Sequence, residues 1–184
     1  MSGIRGRAMP PLPGLSRFPE LNVRTYVTYD GQPGVFFFSL DAANFPAVWA
    51  ARAFYHLPYF YAAMHSEEAR GKIHYRSRRY HTSAEFRGNY RSVGESRLPA
   101  KGSIEHWLTE RYCLYTVHGE GIFRGEIHHP PWSLQDADAE FELNTMAEPA
   151  GINLPATRPL LHFARRQEVL IWPLRRAERN QRRV

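Results

Sequence analysis

The sequence holds a single cysteine, Cys113, and among its 24 basic residues only two lysines, Lys72 and Lys101. One cysteine excludes an internal disulfide and fits a reducing, cytoplasmic setting. Two lysines confine any amine nucleophile to two positions. The other cations are arginines, which hold carboxylates and phosphates bidentately and do not form Schiff bases. No run approaches 18 apolar residues, so no membrane helix or membrane partner is expected. The early arginines lack the apolar segment that a signal peptide needs. Also missing are a Gly-x-Ser-x-Gly elbow, a P-loop, a dinucleotide fingerprint and any helix-turn-helix, finger or RNA-binding signature. No cofactor and no specific nucleic-acid partner is expected.

What is present suits one domain, because 184 residues can bury a core without staples. The net charge of +6 is uneven. Residues 101–157 carry nine acidic and three basic residues, whereas residues 158–184 carry eight basic and two acidic. The closing "PLRRAERNQRRV" reads as a solvated tail. Residues 1–19, rich in Gly, Pro and Arg, read as a flexible N-terminal arm. The expected division is therefore an arm over 1–19, one β-rich domain over 20–175 and a basic tail over 176–184.

Between those ends the chain is mostly strand. "NVRTYVT" (22–28) and "VFFFSLD" (35–41) flank an Asp-Gly turn and predict a hairpin. The second of these is apolar on both faces, as a central strand would be. "NFPAVWAARAFYHLP" (44–58) switches to helical spacing, with Asn44 as cap, Pro46 in the first turn and Pro58 as stop. Strands follow at 59–64, 72–79 and 84–93. A short helix at 103–110 is opened by Ser103, and strands at 111–117 and 122–129 come next. Residues 139–146 are ambiguous between strand and helix. "PLLHFAR" (159–165) and "EVLIWPL" (168–174) predict a final hairpin. The fold class is mainly β (α+β): a curved antiparallel sheet or a β-barrel or cone, with one main helix covering an opening.

Five residues stand out as pocket candidates. Ile73, Tyr75, Ser77 and Arg79 share one face of a strand whose other face, Lys72, His74, Arg76 and Arg78, is strongly basic. If the basic face meets solvent, Tyr75 and Arg79 are buried and need partners. Arg24 is a sensible anchor for an anionic ligand, or else a surface arginine. Glu110, at a helix–strand junction beside Arg111, can reach inward. In "RGEIHHPPW" the adjacent His128 and His129 point to opposite faces of a strand, which argues against a shared metal ion, and no metal is expected. His129 shares its face with Phe123, Gly125 and Ile127 and is expected inside. His106 and Glu110, four apart on a helix, read as an ordinary polar pair. Lys72 is a weak candidate nucleophile, because a lysine needs desolvation or a cationic neighbour to become reactive.

Several segments resemble one family: "SRFPELNVRTYV", "PGVFFFSLDAAN", "AARAFYHLPY", "SIEHWLTERYCLY", "GEIHHPPWSLQDAD" and "LLHFARRQEVLIWPL". They are similar to the YqjF-like family of uncharacterised bacterial proteins, from about residue 16 to 174. The resemblance implies an acetoacetate decarboxylase-like fold. It also implies a contrast, since those decarboxylases use a pocket lysine made acidic by a neighbouring lysine, and here no two lysines adjoin. Members of the family usually begin with a further segment before the "NVRTYV" strand. That implies an open sheet edge, through which a homodimer can form, or a longer natural chain. Three functions follow as expectations: a β-barrel that binds or transforms a small organic anion, a noncatalytic structural β domain, or a Schiff-base enzyme acting on a keto acid.

Overall fold

The computed structural model describes residues 4–6 and 18–178 of the chain. Two long hairpins begin it. β2 (Glu20–Tyr29) and β3 (Gln32–Ala42) are joined by Asp30-Gly31, and β4 (Tyr59–Ala69) and β5 (Lys72–Arg79) by Arg70-Gly71. In both turns the two central residues have positive φ, 50° and 77° in the first and 53° and 73° in the second. That is the conformation whose twist matches antiparallel strands.

Between the hairpins runs α1 (Phe45–Tyr55). The Asn44 side chain accepts a hydrogen bond from the Ala47 N–H at 2.9 Å, Pro46 occupies the first turn, and His56 ends the helix in the left-handed conformation. After β6 (Glu85–Arg97), α2 (Ile104–Thr109) leads into β7 (Cys113–His118), β8 (Gly121–His128) and β9 (Leu134–Asn144). The ambiguous segment near 139–146 is thus strand to Asn144. Short strands complete the order: β1 (Ile4–Gly6), β10 (His162–Phe163), β11 (Val169–Ile171) and β12 (Arg175–Arg176).

β3 is the centre of the molecule. β2 lies along one of its edges throughout. Along the other edge β3 pairs in parallel with β7 through Val35 and Phe36, then with β4 through Leu40 to Ala42. The sheet therefore splits at β3 into two wings. One is β7-β8 with β11, β12 and β1; the other is β4-β5-β6-β9-β10. The outer strands β1 and β10 do not pair with each other, so the sheet is open and does not close into a barrel. Most pairs are antiparallel, as expected. The parallel exceptions meet at β3 and at the β1–β11 pair.

A bulge explains why "VFFFSLDA" reads as apolar on both faces. Val23 pairs with Ser39 but Arg24 with Phe37, so Phe38 is an extra residue. Val35, Phe37, Leu40 and Ala42 therefore share one face. They pack with Val48 of α1, Leu57, Tyr59 and Leu114, while Tyr26 and Tyr55 border this core. Gly34 lets β3 approach β7: a Cβ there would lie 2.7 Å from Cys113 Sγ. α1 packs on β3 and β4.

The expected final hairpin is not formed. β10 pairs with β9 and β11 with β8, at opposite wings. Alternation marks a segment as strand but carries no information about its partner, and here both partners had an open edge. Of the arm read over 1–19, Ile4–Gly6 pairs in parallel with β11. Residues 1–3 and 7–17 lie outside the described residues, as does most of the tail, 179–184. Among the described residues, no helix is long and apolar enough to cross a membrane.

Candidate functional site

The inward face of β5 carries Tyr75, Ser77 and Arg79, all buried, while Arg76 and Arg78 are exposed. Arg79 is 3 % exposed and meets Asp41, which has no exposed surface. Its Nε and Nη2 donate to one carboxylate oxygen, Asp41 Oδ1, at 2.9 and 2.6 Å, and its guanidinium lies 4.1 Å from the centre of the Phe60 ring. Among the described residues, Asp41 Oδ2 and Ser77 Oγ have no partner. Burial pushes the Asp41 carboxyl above its ordinary range, and the Arg79 hydrogen bonds oppose that. Tyr75 donates to the Glu20 carbonyl at 2.9 Å, and Tyr59 donates to Glu20 Oε2 at 2.7 Å. Burial raises the pKa of Glu20 and of both tyrosines.

A second cluster forms where α2 and the start of β7 meet β2. Arg111 is 9 % exposed. Its guanidinium lies 4.3 Å from the Trp107 ring centre and 5.5 Å from that of Tyr26. Its Nη1 donates to the Glu110 carbonyl at 2.9 Å, and its Nε has no partner among the described residues. Arg24, exposed, reaches the same tyrosine, with Nη2 donating to the Tyr26 hydroxyl at 3.3 Å. Trp107 and Tyr26 pack against each other at 4.9 Å. Among the described residues, neither Arg24 nor Arg111 forms an ion pair with a carboxylate. Two guanidiniums thus approach one ring, in a cluster whose tryptophan is half-exposed.

Glu110 and His129 border this niche without facing one another. The Tyr112 hydroxyl donates to Glu110 Oε2 at 2.5 Å, and that bond is the main reason its pKa is pushed up to about 12. Tyr112 stacks on His129 at 4.7 Å. His129 is buried, with Nε2 3.2 Å from the Arg111 carbonyl and Nδ1 3.0 Å from the Pro130 carbonyl, whereas His128 is exposed. A neutral imidazole can donate to only one of those carbonyls.

The five residues expected to share a pocket therefore divide. Tyr75 and Arg79 belong to the wing of β4 and β5, and Arg24, Glu110 and His129 surround Arg111. β2 joins the two groups through Glu20 at one end and Arg24 and Tyr26 further along. Lys72 lies on the outer face of β5, 3.9 Å from Glu140. Sequence reasoning set Tyr26 on one face with Arg24 but missed Asp41, Glu20, Tyr59, Arg111 and Trp107 as members of these clusters. Asp41 had one visible signal, an acidic residue closing an otherwise apolar strand.

Three comparisons bear on this geometry. The family DUF2071, described as an uncharacterized conserved protein, matches residues 1–168. The uncharacterized protein YqjF of Bacillus subtilis (strain 168) is 49% identical over 177 residues, covering 96% of this chain and 73% of the relative. Among solved structures, an acetoacetate decarboxylase from Legionella pneumophila aligns with a TM-score of 0.61 at 10% identity, over 90% of this chain and 69% of that one. The enduracididine biosynthesis enzyme MppR, complexed with pyruvate, aligns with a TM-score of 0.53 at 10% identity, over 85% and 62%. At that identity the two structures bear on architecture alone. An open, mainly antiparallel sheet of acetoacetate decarboxylase-like fold, and a sequence match over nearly its whole length, place this chain in the DUF2071 family with YqjF.

Proposed function

We propose that this chain binds a small organic anion in the niche of Arg111, Arg24, Tyr26 and Trp107. One observation carries the reading: among the described residues, Arg111 is buried with no carboxylate beside it and with its Nε unsatisfied. A buried guanidinium without a counter-charge is costly. Two aromatic faces offset part of that cost. A ligand carboxylate, held bidentately, would supply the rest. Arg24 adds a second cation from the open side, and the rings would grip an apolar or planar body. The names of the solved neighbours agree with this ligand class, since one is an acetoacetate decarboxylase and the other is complexed with pyruvate. Such a role fits a reducing cytoplasm, where the lone buried thiol of Cys113 needs no partner.

Binding without Schiff-base chemistry is the form we favour. Lys72 lies on the outer face of β5, and Lys101 is exposed in the turn before α2. A thermal-shift screen with pyruvate, acetoacetate, benzoate and succinate tests the reading. At ten times its Kd, a ligand adds about 1.4 kcal/mol, which is roughly 3–5 °C for a chain of this size. At least one acid should reach that shift, and Arg111→Met should abolish it. No shift from any acid at millimolar concentration would overturn the proposal. Borohydride trapping with acetoacetate should leave no adduct; one at Lys72 would restore the keto-acid enzyme.

A further inference from the structure

Large hydrophobic side chains are exposed on one continuous ridge that the anion niche does not use. Phe45, Trp49 and Phe54 of α1 are 63, 60 and 62 % exposed, and Tyr61 and Tyr80 are 41 and 47 % exposed. The five rings connect. Phe54 packs edge-on against Trp49 at 6.0 Å, and Trp49 stands one helical turn from Phe45. Phe45 packs edge-on against Tyr61 at 5.9 Å, and Tyr61 stacks on Tyr80 at 5.2 Å. Five half-exposed aromatic side chains amount to roughly 500 Å², the upper range for the largest apolar patch of a monomer.

The ridge runs into a stripe of guanidiniums. Arg78 and Arg76 follow Tyr80 along the outer face of β5, both exposed, and neither forms an ion pair with a described residue. Arg76 stands directly opposite Arg87 on β6. Like charges in register are unfavourable unless something else engages them. Arg52 projects beside the ridge on α1. Phe, Trp, Tyr and Arg are the residues enriched in protein interfaces, where Lys and Glu are depleted.

We propose that this face is the dimer interface between two copies of the chain. The patch is self-complementary. A twofold axis between ridge and stripe sets the rings of each copy over Arg76 and Arg78 of the other, an isologous contact in which each half repeats the same cation–aromatic packing. The ridge together with Arg52, Arg76 and Arg78 approaches the ~800 Å² per partner of a stable interface. A nucleic-acid strand fits less well. The stripe is bounded by carboxylates already engaged by its neighbours, Glu85 on Arg87, Asp138 on Arg91 and Glu140 on Lys72. A polyanion following the sheet would run against them. The contact uses the outer face of one wing and α1, not an open sheet edge.

Sedimentation velocity on the full chain over a micromolar concentration series tests this. The expected species has twice the 21.3 kDa chain mass. Trp49→Glu and, separately, Arg78→Glu should each weaken dimerisation by roughly 30-fold or more. Their circular-dichroism spectra should match wild type, and so should their melts at a dilution where wild type is itself monomeric, because both side chains are exposed. A monomer throughout the series would overturn the proposal. So would a dimer that neither variant weakens. A monomer that binds a single-stranded oligonucleotide, with binding lost in Trp49→Glu, would also overturn it and reassign the face.

Discussion

Arg79 and Arg111 are both buried guanidiniums, and they are held in opposite ways. Arg79 has a carboxylate, Asp41, at 2.6 and 2.9 Å and a phenyl ring behind it. Among the described residues, Arg111 has two rings, one backbone carbonyl and no carboxylate. The first arrangement is complete apart from one carboxylate oxygen. The second lacks a counter-charge among the described residues, and a half-exposed tryptophan and an exposed arginine stand beside it. Burial of a charge therefore does not have one meaning in this molecule. Where the partner is internal the charge belongs to the architecture; where it is missing, we propose, the charge serves a ligand.

That contrast can be broken at several points. Arg79→Met should produce the largest effect. It leaves Asp41 buried and unpaired, and should lower unfolding free energy in urea by about 3–5 kcal/mol. Asp41→Asn should fall in the same range, because it strands Arg79 instead. Arg24→Ala comes next. Its side chain is exposed, so stability should change little, while affinity for a carboxylate found in the screen should fall about tenfold in titration calorimetry.

Glu20, which bonds Tyr59 and Tyr75 at the start of β2, sharpens the comparison through pH. Burial raises its pKa above 4.5, so the folded chain holds that proton more tightly than the unfolded chain. The stability it contributes is complete below 4.5 and is lost as pH rises through the raised value. Melting temperature against pH should therefore decline less over that window in Glu20→Gln than in wild type. The smallest effect belongs to an exposed arginine. Arg97 pairs with Asp136 at 2.7 Å, but both side chains are at least half-exposed. Arg97→Ala should cost under ~1 kcal/mol in the same urea titration.

Much of the wing containing Arg79 was legible in the sequence. Alternation over "KIHYRSRR" placed Tyr75, Ser77 and Arg79 inside, because a strand with one basic face must bury the other. The Asp-Gly signal fixed the first hairpin, and Asn44 with Pro46 fixed the start of α1. Period and turn chemistry are local, and so are these features. The Arg111 cluster was not legible, since it depends on Trp107 of α2 meeting Tyr26 of β2, some 80 residues earlier in the chain. Asp41 was hidden for a similar reason: the Phe38 bulge sets the facing of β3, and the bulge exists only once β2 is paired. His129 was expected inside on strand alternation, and it is buried there. Its neighbours are the Arg111 carbonyl and Tyr112, with Glu110 one side chain further away.

Arg111→Met tests the central claim most directly, through unfolding free energy measured with and without the best carboxylate from the screen. Methionine keeps the packing between Trp107 and Tyr26 and removes the uncompensated charge. The variant alone should lie within about 1 kcal/mol of wild type, and the carboxylate should no longer stabilise it. A loss of several kcal/mol, with the carboxylate still stabilising the variant as it does wild type, would contradict the account and make Arg111 a structural residue like Arg79.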